Sequence, residues 1–332
     1  MTNYGNMYGP AFTFLGIPAC DLDKPETYKD ADVVIVGAPI DSGTSHRSGA
    51  KFGPQAIRMG DYLPHDGERP HLALRVDSLK ELKVYDAGDL LMPGMDLVKS
   101  LKVLEAATEK ISRAGAIAVI LGGDHSIASA DVAGIANHLG KGKVSMIHFD
   151  AHADTGEDQW GALVGHGTPM RRLIESGAVR GDRFLQLGLR GYWPDYKTIE
   201  WMRDQKMRSY EMTEIHHRGM KAVLDESFAT LTDGCDGVFL SVDIDVVDPG
   251  MAPGTGTPEP GGMTSRELLE AVRRICLELP IVGIDVVEVA PPFDSADITA
   301  ILANRVVLEA LSAIALRKKG GSYSPTRNLL DR

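Results

Sequence analysis

The 332-residue chain is 43% hydrophobic and 24% charged, an ordinary globular balance with room for one large domain or two small ones. Its formal net charge of -11, with no basic cluster longer than Arg317-Lys318-Lys319, argues against nucleic acid and against an anionic membrane as partners. Cys20, Cys235 and Cys276 show no C-x-x-C spacing and the N-terminus carries no basic or apolar leader, which argues against a disulfide framework and a thiolate zinc site, and a cytoplasmic protein is expected.

Residues 1–30 lack periodicity and read as an N-terminal arm, residues 31–316 as a single α/β domain, and residues 317–332 as a polar C-terminal tail. Short, nearly continuous apolar runs recur at 33–36, 83–85, 117–121, 144–149, 184–189, 207–210, 238–242 and 281–287. Between most of them lie helical patterns: 96–114 (apolar at Leu97, Val98, Leu101, Val103, Leu104 and Ala107), 126–139, 265–279 and 295–315. Strands without alternation, separated by helices, predict a central parallel sheet of about eight strands in a three-layer α/β/α domain. No apolar run approaches the length needed to span a bilayer. In open sheets of this kind ligands sit beyond the carboxyl ends of the strands, and polar residues collect there after 117–121, 144–149, 184–189, 238–242 and 281–287.

The run 144–149 turns abruptly into Asp150-Ala151-His152-Ala153-Asp154, whose three polar side chains share one face if the backbone stays extended. Asp243 and Asp245 follow the run 238–242 at the same two-residue spacing, although a D-x-D also serves as a turn or cap. His125 follows two glycines at the end of 117–121 and also suits a helix start. Together His125, Asp150, His152, Asp154, Asp243 and Asp245 offer two imidazoles and four carboxylates. Four negative charges are balanced by two divalent ions and leave the cluster heavily overcharged with none, which favours a binuclear site. Oxygen and nitrogen ligands without thiolate suit Mn²⁺ first, with Ni²⁺ and other divalent ions chemically open.

Gly122-Gly123-Asp124-His125-Ser126, Phe149-Asp150-Ala151-His152-Ala153-Asp154 and the segment from Ser241 through Asp243, Asp245 and Asp248 to Pro249 resemble the three signatures of the ureohydrolase family, in its agmatinase-like branch. The likeness runs from about Val33 to Ala315. It implies an arginase/deacetylase-like fold, a trimer or a hexamer, and a hydrolase that releases urea and an amine from a guanidino compound. It further implies one metal on His125, Asp150, Asp154 and Asp243 and a second on Asp150, His152, Asp243 and Asp245, with a water between them as nucleophile. Glu288 matches the carboxylate that pairs with the guanidinium, and His166 the group that passes a proton to the leaving amine. A loop histidine held by backbone is the alternative for His166. Asp124 and Asp248 read as turn residues, and His148 as a buried support.

The loop after 184–189 reads Arg190-Gly191-Tyr192-Trp193, where arginases place acidic residues, so arginine itself is a doubtful substrate. Tyr192 and Trp193 would cover the site or pack in an oligomer contact, with Trp160 nearby. Glu157 and Asp158 would attract a distal ammonium, as in agmatine. Arg171, Arg172 and Arg190 would attract a carboxylate, as in 4-guanidinobutyrate, the alternative for Arg171 and Arg172 being a helix face turned to solvent. Guanidine itself or an alkylated biguanide such as metformin would suit an aromatic lid. From other classes, a single-zinc deacetylase and a non-catalytic subunit in a mixed oligomer with a paralogous chain remain as alternatives.

Overall fold

Central strands too apolar to face water on either side need cover above and below, and the chain supplies it. In the computed structural model, which describes residues 13–62, 70–93 and 96–330, the strands are β1 (Val33–Ala38), β2 (Val84–Asp89), β3 (Ile117–Gly122), β4 (Val144–Phe149), β5 (Val179–Leu189), β6 (Arg208–Glu211), β7 (Gly237–Asp243) and β8 (Ile281–Val287). Every residue of β1, β4 and β7 is buried, as a strand sandwiched between helical layers requires. The helices are α1 (Gly53–Met59), α2 (Ser78–Glu81), α3 (Leu97–Arg113), α4 (Ala128–Leu139), α5 (Pro169–Glu175), α6 (Tyr196–Asp204), α7 (Met212–Arg218), α8 (Met220–Thr232), α9 (Ser265–Glu278) and α10 (Ile298–Lys318). Local chemistry fixes their starts: Asp96 accepts the Lys99 N–H ahead of α3, and Thr264 and Glu267 form a reciprocal capping box ahead of α9.

The strands pair in the order β2-β1-β3-β8-β7-β4-β5-β6, all parallel. That order matters for function. It sets the carboxyl ends of β3, β8, β7 and β4 side by side at the centre of the sheet, although they are far apart in the chain.

Three expectations need adjustment. The part of the 1–30 segment that lies among the described residues is not a free arm: Phe14 is fully buried and its N–H donates to Asp86 Oδ2 at 2.7 Å, while Ala19 pairs with the edge strand β2. Residues 1–12 lie outside the described residues. The tail begins after Lys318, because α10 continues past Leu316. Finally, α10 is long and apolar enough by composition to cross a membrane, but 78% of that stretch is buried inside the protein, which makes it a core helix.

Candidate metal centre

Each of the four central strands ends by turning a polar side chain toward the same point. After β3 the chain passes so close to its neighbour that a Cβ on Gly123 would stand 1.9 Å from the Ile40 carbonyl oxygen, so only glycine fits. Asp124 then accepts the Gly43 N–H (2.8 Å) and the Ser126 N–H (3.0 Å), which fixes the 3₁₀ turn His125–Ile127 and aims His125 inward. Asp124 is therefore a turn residue. Asp248 is another, accepting the N–H groups of Gly250 and Gly261.

The convergence of Asp150, His152 and Asp154 does not come from strand alternation. The strand β4 stops at Phe149, and Asp154 sits at φ 51°, in the left-handed region. Asp243 is the last residue of β7 and Asp245 lies in the following 3₁₀ turn, tied by an Asp245 N–H to Asp243 Oδ1 bond of 2.8 Å. The chain thus leaves both strands to make the site. A side chain forced onto φ > 0 without glycine is costly and persists where the surroundings impose it; Glu288, at φ 61°, is a second such residue.

His125 Nδ1 lies 3.1 Å from Asp150 Oδ2, 3.2 Å from Asp154 Oδ2 and 3.1 Å from Asp243 Oδ2. His152 Nδ1 lies 3.4 Å from Asp150 Oδ1 and 3.1 Å from Asp245 Oδ2. Asp150 therefore offers one oxygen to each cluster. Ligand atoms spaced about 3 Å apart are the edges of an octahedron whose bonds are about 2.1 Å, the geometry of hard divalent cations. All six residues come together as the sequence predicts.

The electrostatics also ask for positive charge here. Burial, then the charges of Asp245 and Asp150, push the Asp243 carboxyl well above the usual range. Burial opposes charge on the two imidazoles, yet the surrounding carboxylates raise His125 well above its ordinary value and His152 to about 12. Left to the protein's own groups, protons on both histidines would have to offset the carboxylates. A pair of divalent cations does so better, and the donor set fits them.

Hydrogen bonds behind the ligands decide which nitrogen faces the centre. Ser241 Oγ lies 2.9 Å from His125 Nε2 and can accept that N–H, which leaves Nδ1 as the nitrogen available to a cation between the carboxylates. His148 is close enough to count as a fourth ligand beside His125, Asp150 and Asp154. Its partners exclude it. Gln186 Nε2 donates to the Ala153 carbonyl at 2.7 Å, which fixes the amide orientation, and lies 3.1 Å from His148 Nδ1. His148 must then carry its proton on Nε2 and donate it to Asp150 Oδ2 at 2.8 Å, as a buried support.

A cleft of about 460 Å³ opens onto this centre, lined in its depth by His152, Asp154, Asp243, His166 and Glu288 and nearer the mouth by Glu157, Asp158, Trp160, Trp193 and Lys197. Glu288 is 1% exposed; its Oε1 accepts from His125 N–H (2.8 Å) and His166 Nδ1–H (2.9 Å). Its Oε2 is buried without a partner. Burial works against the charge of Glu288, but His166 beside it leaves the carboxyl below its ordinary value; His166 itself is raised to about 9, Glu288 outweighing burial.

Two substrate-binding expectations are corrected. Arg190 does not reach the cleft: its guanidinium donates to the carbonyls of Glu259, Pro260, Gly188, Val246 and Asp245, so it splints the strand ends together. With Arg190 held there and Gly191 turning at φ 78°, Tyr192 is thrown outward, 95% exposed and outside the cleft lining. Arg171 and Arg172 also stay out of the lining, paired with Glu175. Lys197, ion-paired to Glu157, is the cation at the mouth, unmarked in the sequence because it lies on α6 with no motif around it. Ser45 was equally unmarked: it lines the cleft and its Oγ lies 2.6 Å from His166 Nε2, a contact across 121 residues that no spacing rule shows.

A sequence profile of the Arginase family matches residues 31–313. The guanidinobutyrase of Pseudomonas aeruginosa is 34% identical over 308 residues, 92% of this chain and 93% of that one. The agmatinase of Cronobacter sakazakii is 37% identical over 309 residues, 93% and 94% of the two chains. Among solved structures, the proclavaminate amidino hydrolase of Streptomyces clavuligerus superposes with a TM-score of 0.81 at 33% identity, covering 94% of this chain and 99% of that one.

Proposed function

The chain belongs to the arginase family, in its agmatinase-like branch, and from that premise we propose that its cleft hydrolyses a guanidino compound carrying a polar group at its far end, agmatine-like or a guanidino acid. Such an enzyme is a metal-dependent amidinohydrolase that splits a guanidino C–N bond to urea and an amine. His125, Asp150, Asp154 and Asp243 would hold one cation, and Asp150, His152, Asp243 and Asp245 the other, with Mn²⁺ favoured over Ni²⁺ by the carboxylate-rich set. When bound, the pair supplies the charge that makes water a nucleophile near neutral pH.

The residues of the chain do the rest. Glu288 Oε2 is the observation that carries the reading: a buried acceptor with no partner, lining the same cleft as His152, Asp154 and Asp243. A guanidinium donating to it would set its carbon beside the metal ligands. His166, held by Glu288, keeps a proton at the cleft wall for the departing amine. At the mouth, Asp158 and the Glu157–Lys197 pair offer either sign of charge to a distal amine or carboxylate.

A second reading, an alkylated or unsubstituted guanidine or biguanide such as guanidine or metformin, is favoured by Trp160 and Trp193 at the mouth, both largely exposed and able to stack on a flat cation. The exposed Tyr192 and Tyr196 beside them suit burial in a homotrimer or homohexamer, or against a paralogous subunit. The test is hydrolysis by purified protein of agmatine, guanidinobutyrate, guanidinopropionate, arginine and guanidine, read as urea, and of metformin, read as dimethylamine and guanylurea as well as urea, with Mn²⁺ and Ni²⁺ reconstituted separately. Turnover of agmatine or a guanidino acid supports the first reading, turnover of only guanidine or metformin the second, and hydrolysis of none of them overturns both.

A further inference from the structure

Nδ1 of His166 is committed to Glu288 Oε1, so any proton this histidine exchanges with a substrate must pass through Nε2. Ser45 stands there, with its hydroxyl oxygen at 2.6 Å and its backbone nitrogen at 3.0 Å. When Nε2 carries a proton, its N–H donates to Ser45 Oγ, and the hydroxyl hydrogen is free to point into the cleft. When Nε2 is bare, it accepts the Ser45 N–H. One residue therefore offers that nitrogen both an acceptor and a donor without turning the ring, the Ser45 N–H being left without its acceptor whenever Nε2 is protonated. A histidine that is only packed needs one partner at each nitrogen. One that loses and regains a proton in every turnover needs an acceptor and a donor at the same atom.

The placement is also rigid. Gly43, two residues before Ser45, donates its N–H to Asp124 Oδ2 (2.8 Å), and its carbonyl accepts the His166 N–H and Gln159 Nε2, both at 3.0 Å. The loop and the histidine are thus tied backbone to backbone, and Ser45 lines the cleft.

Resting on the hydrolase reading above, we propose that Ser45 is a catalytic residue, the hydroxyl through which the proton of His166 reaches the leaving amine. The Nε2–H bond of His166 breaks as an O–H bond forms at Ser45 Oγ. The hydrogen that Oγ already held passes to the amine nitrogen, whose bond to the guanidino carbon breaks with the electron pair remaining on nitrogen. Serine ends as it began. His166, now neutral, accepts the Ser45 N–H until the proton lost by the attacking water restores it.

The test compares Ser45→Ala, which keeps the backbone N–H, with Ser45→Thr, which keeps the hydroxyl as well. Two substrates are used: the alkylguanidine that the wild type turns over best, and 4-nitrophenylguanidine, whose aniline leaves with less help from a proton. In Ser45→Ala the turnover of the alkylguanidine falls about 10²-fold or more with KM little changed, the nitrophenyl compound loses about tenfold or less, and Ser45→Thr restores most of both. A second readout needs no turnover: in metal-free full-length protein, the ¹⁵N resonance of His166 titrates about one to two pH units lower in Ser45→Ala than in wild type or Ser45→Thr, because the acceptor for its Nε2–H is gone. Equal losses on both substrates, a kcat in Ser45→Ala within about threefold of wild type, or an unmoved His166 midpoint overturns the relay. If wild type with two metals releases urea from no guanidine, the hydrolase reading fails and the relay with it, whereas an active wild type beside an undiminished Ser45→Ala removes the relay alone.

Discussion

Replacing Glu288 by glutamine changes one atom and removes one charge. The amide oxygen can take the place of Oε1 and keep the bonds from His125 N–H and His166 Nδ1–H. The amide nitrogen then replaces the unpartnered Oε2, so a guanidinium meets N–H groups where it needs an acceptor. Breaking a buried charge pair costs about 3–5 kcal/mol, which corresponds to a loss of about 10²- to 10⁴-fold in kcat/KM. The change also withdraws the charge that raises His166 to about 9 against the effect of burial, so protonated histidine becomes scarce at neutral pH and the loss moves toward the upper end. Because Glu288 touches the metal ligands only through the His125 backbone, metal content should not change. Urea release and elemental analysis on the same Glu288→Gln preparation check both halves. A kcat/KM within about tenfold of wild type, with both metals retained, would refute the assignment of Glu288 as the guanidinium's partner.

Three further outcomes follow from the contacts. His166 binds its proton more tightly in the fold than its ordinary 6.5, up to about 9, so it contributes stability that is fully present below pH 6.5 and is lost as pH rises through about 9; the thermal midpoint of metal-free protein should fall across that window, and His166→Asn should flatten the fall. Gln186→Leu strands His148 Nδ1 and the Ala153 carbonyl and frees His148 to change tautomer, so metal affinity should drop about 10- to 100-fold by competition with a chelator, while an unchanged affinity would show that the support is idle. Arg190→Met leaves several carbonyls at the strand ends without donors and should cost about 3 kcal/mol in denaturant unfolding, yet KM for a guanidino acid should stay the same; a large rise in KM would place Arg190 in substrate binding after all.

The layered sheet was legible because apolar runs such as 144–149 and 238–242 leave no polar face for water, and those residues lie in β4 and β7. The strand order was not, since nothing in the composition of β8 says that it inserts between β3 and β7. The six candidate ligands could be read from residue type and charge balance, but the reason offered for their convergence failed: Asp154 and Asp245 lie beyond their strands, where alternation no longer governs direction. Arg190 and Tyr192 were misread together, because sequence shows a cation and an aromatic after β5 but not the ring of carbonyls that captures the first and turns away the second. Ser45 and Gln186 escaped notice for the opposite reason. Hydroxyl and amide side chains carry no signal until the fold sets them against a particular nitrogen.

That two cations share Asp150 and Asp243 is the claim on which the site depends, and elemental analysis of the chain loaded with Mn²⁺ and freed of excess metal tests it directly. The account predicts about two ions per chain in wild type and about one in His152→Ala, which removes a ligand from only the second cluster. One ion per chain in wild type, unchanged in His152→Ala, would contradict it.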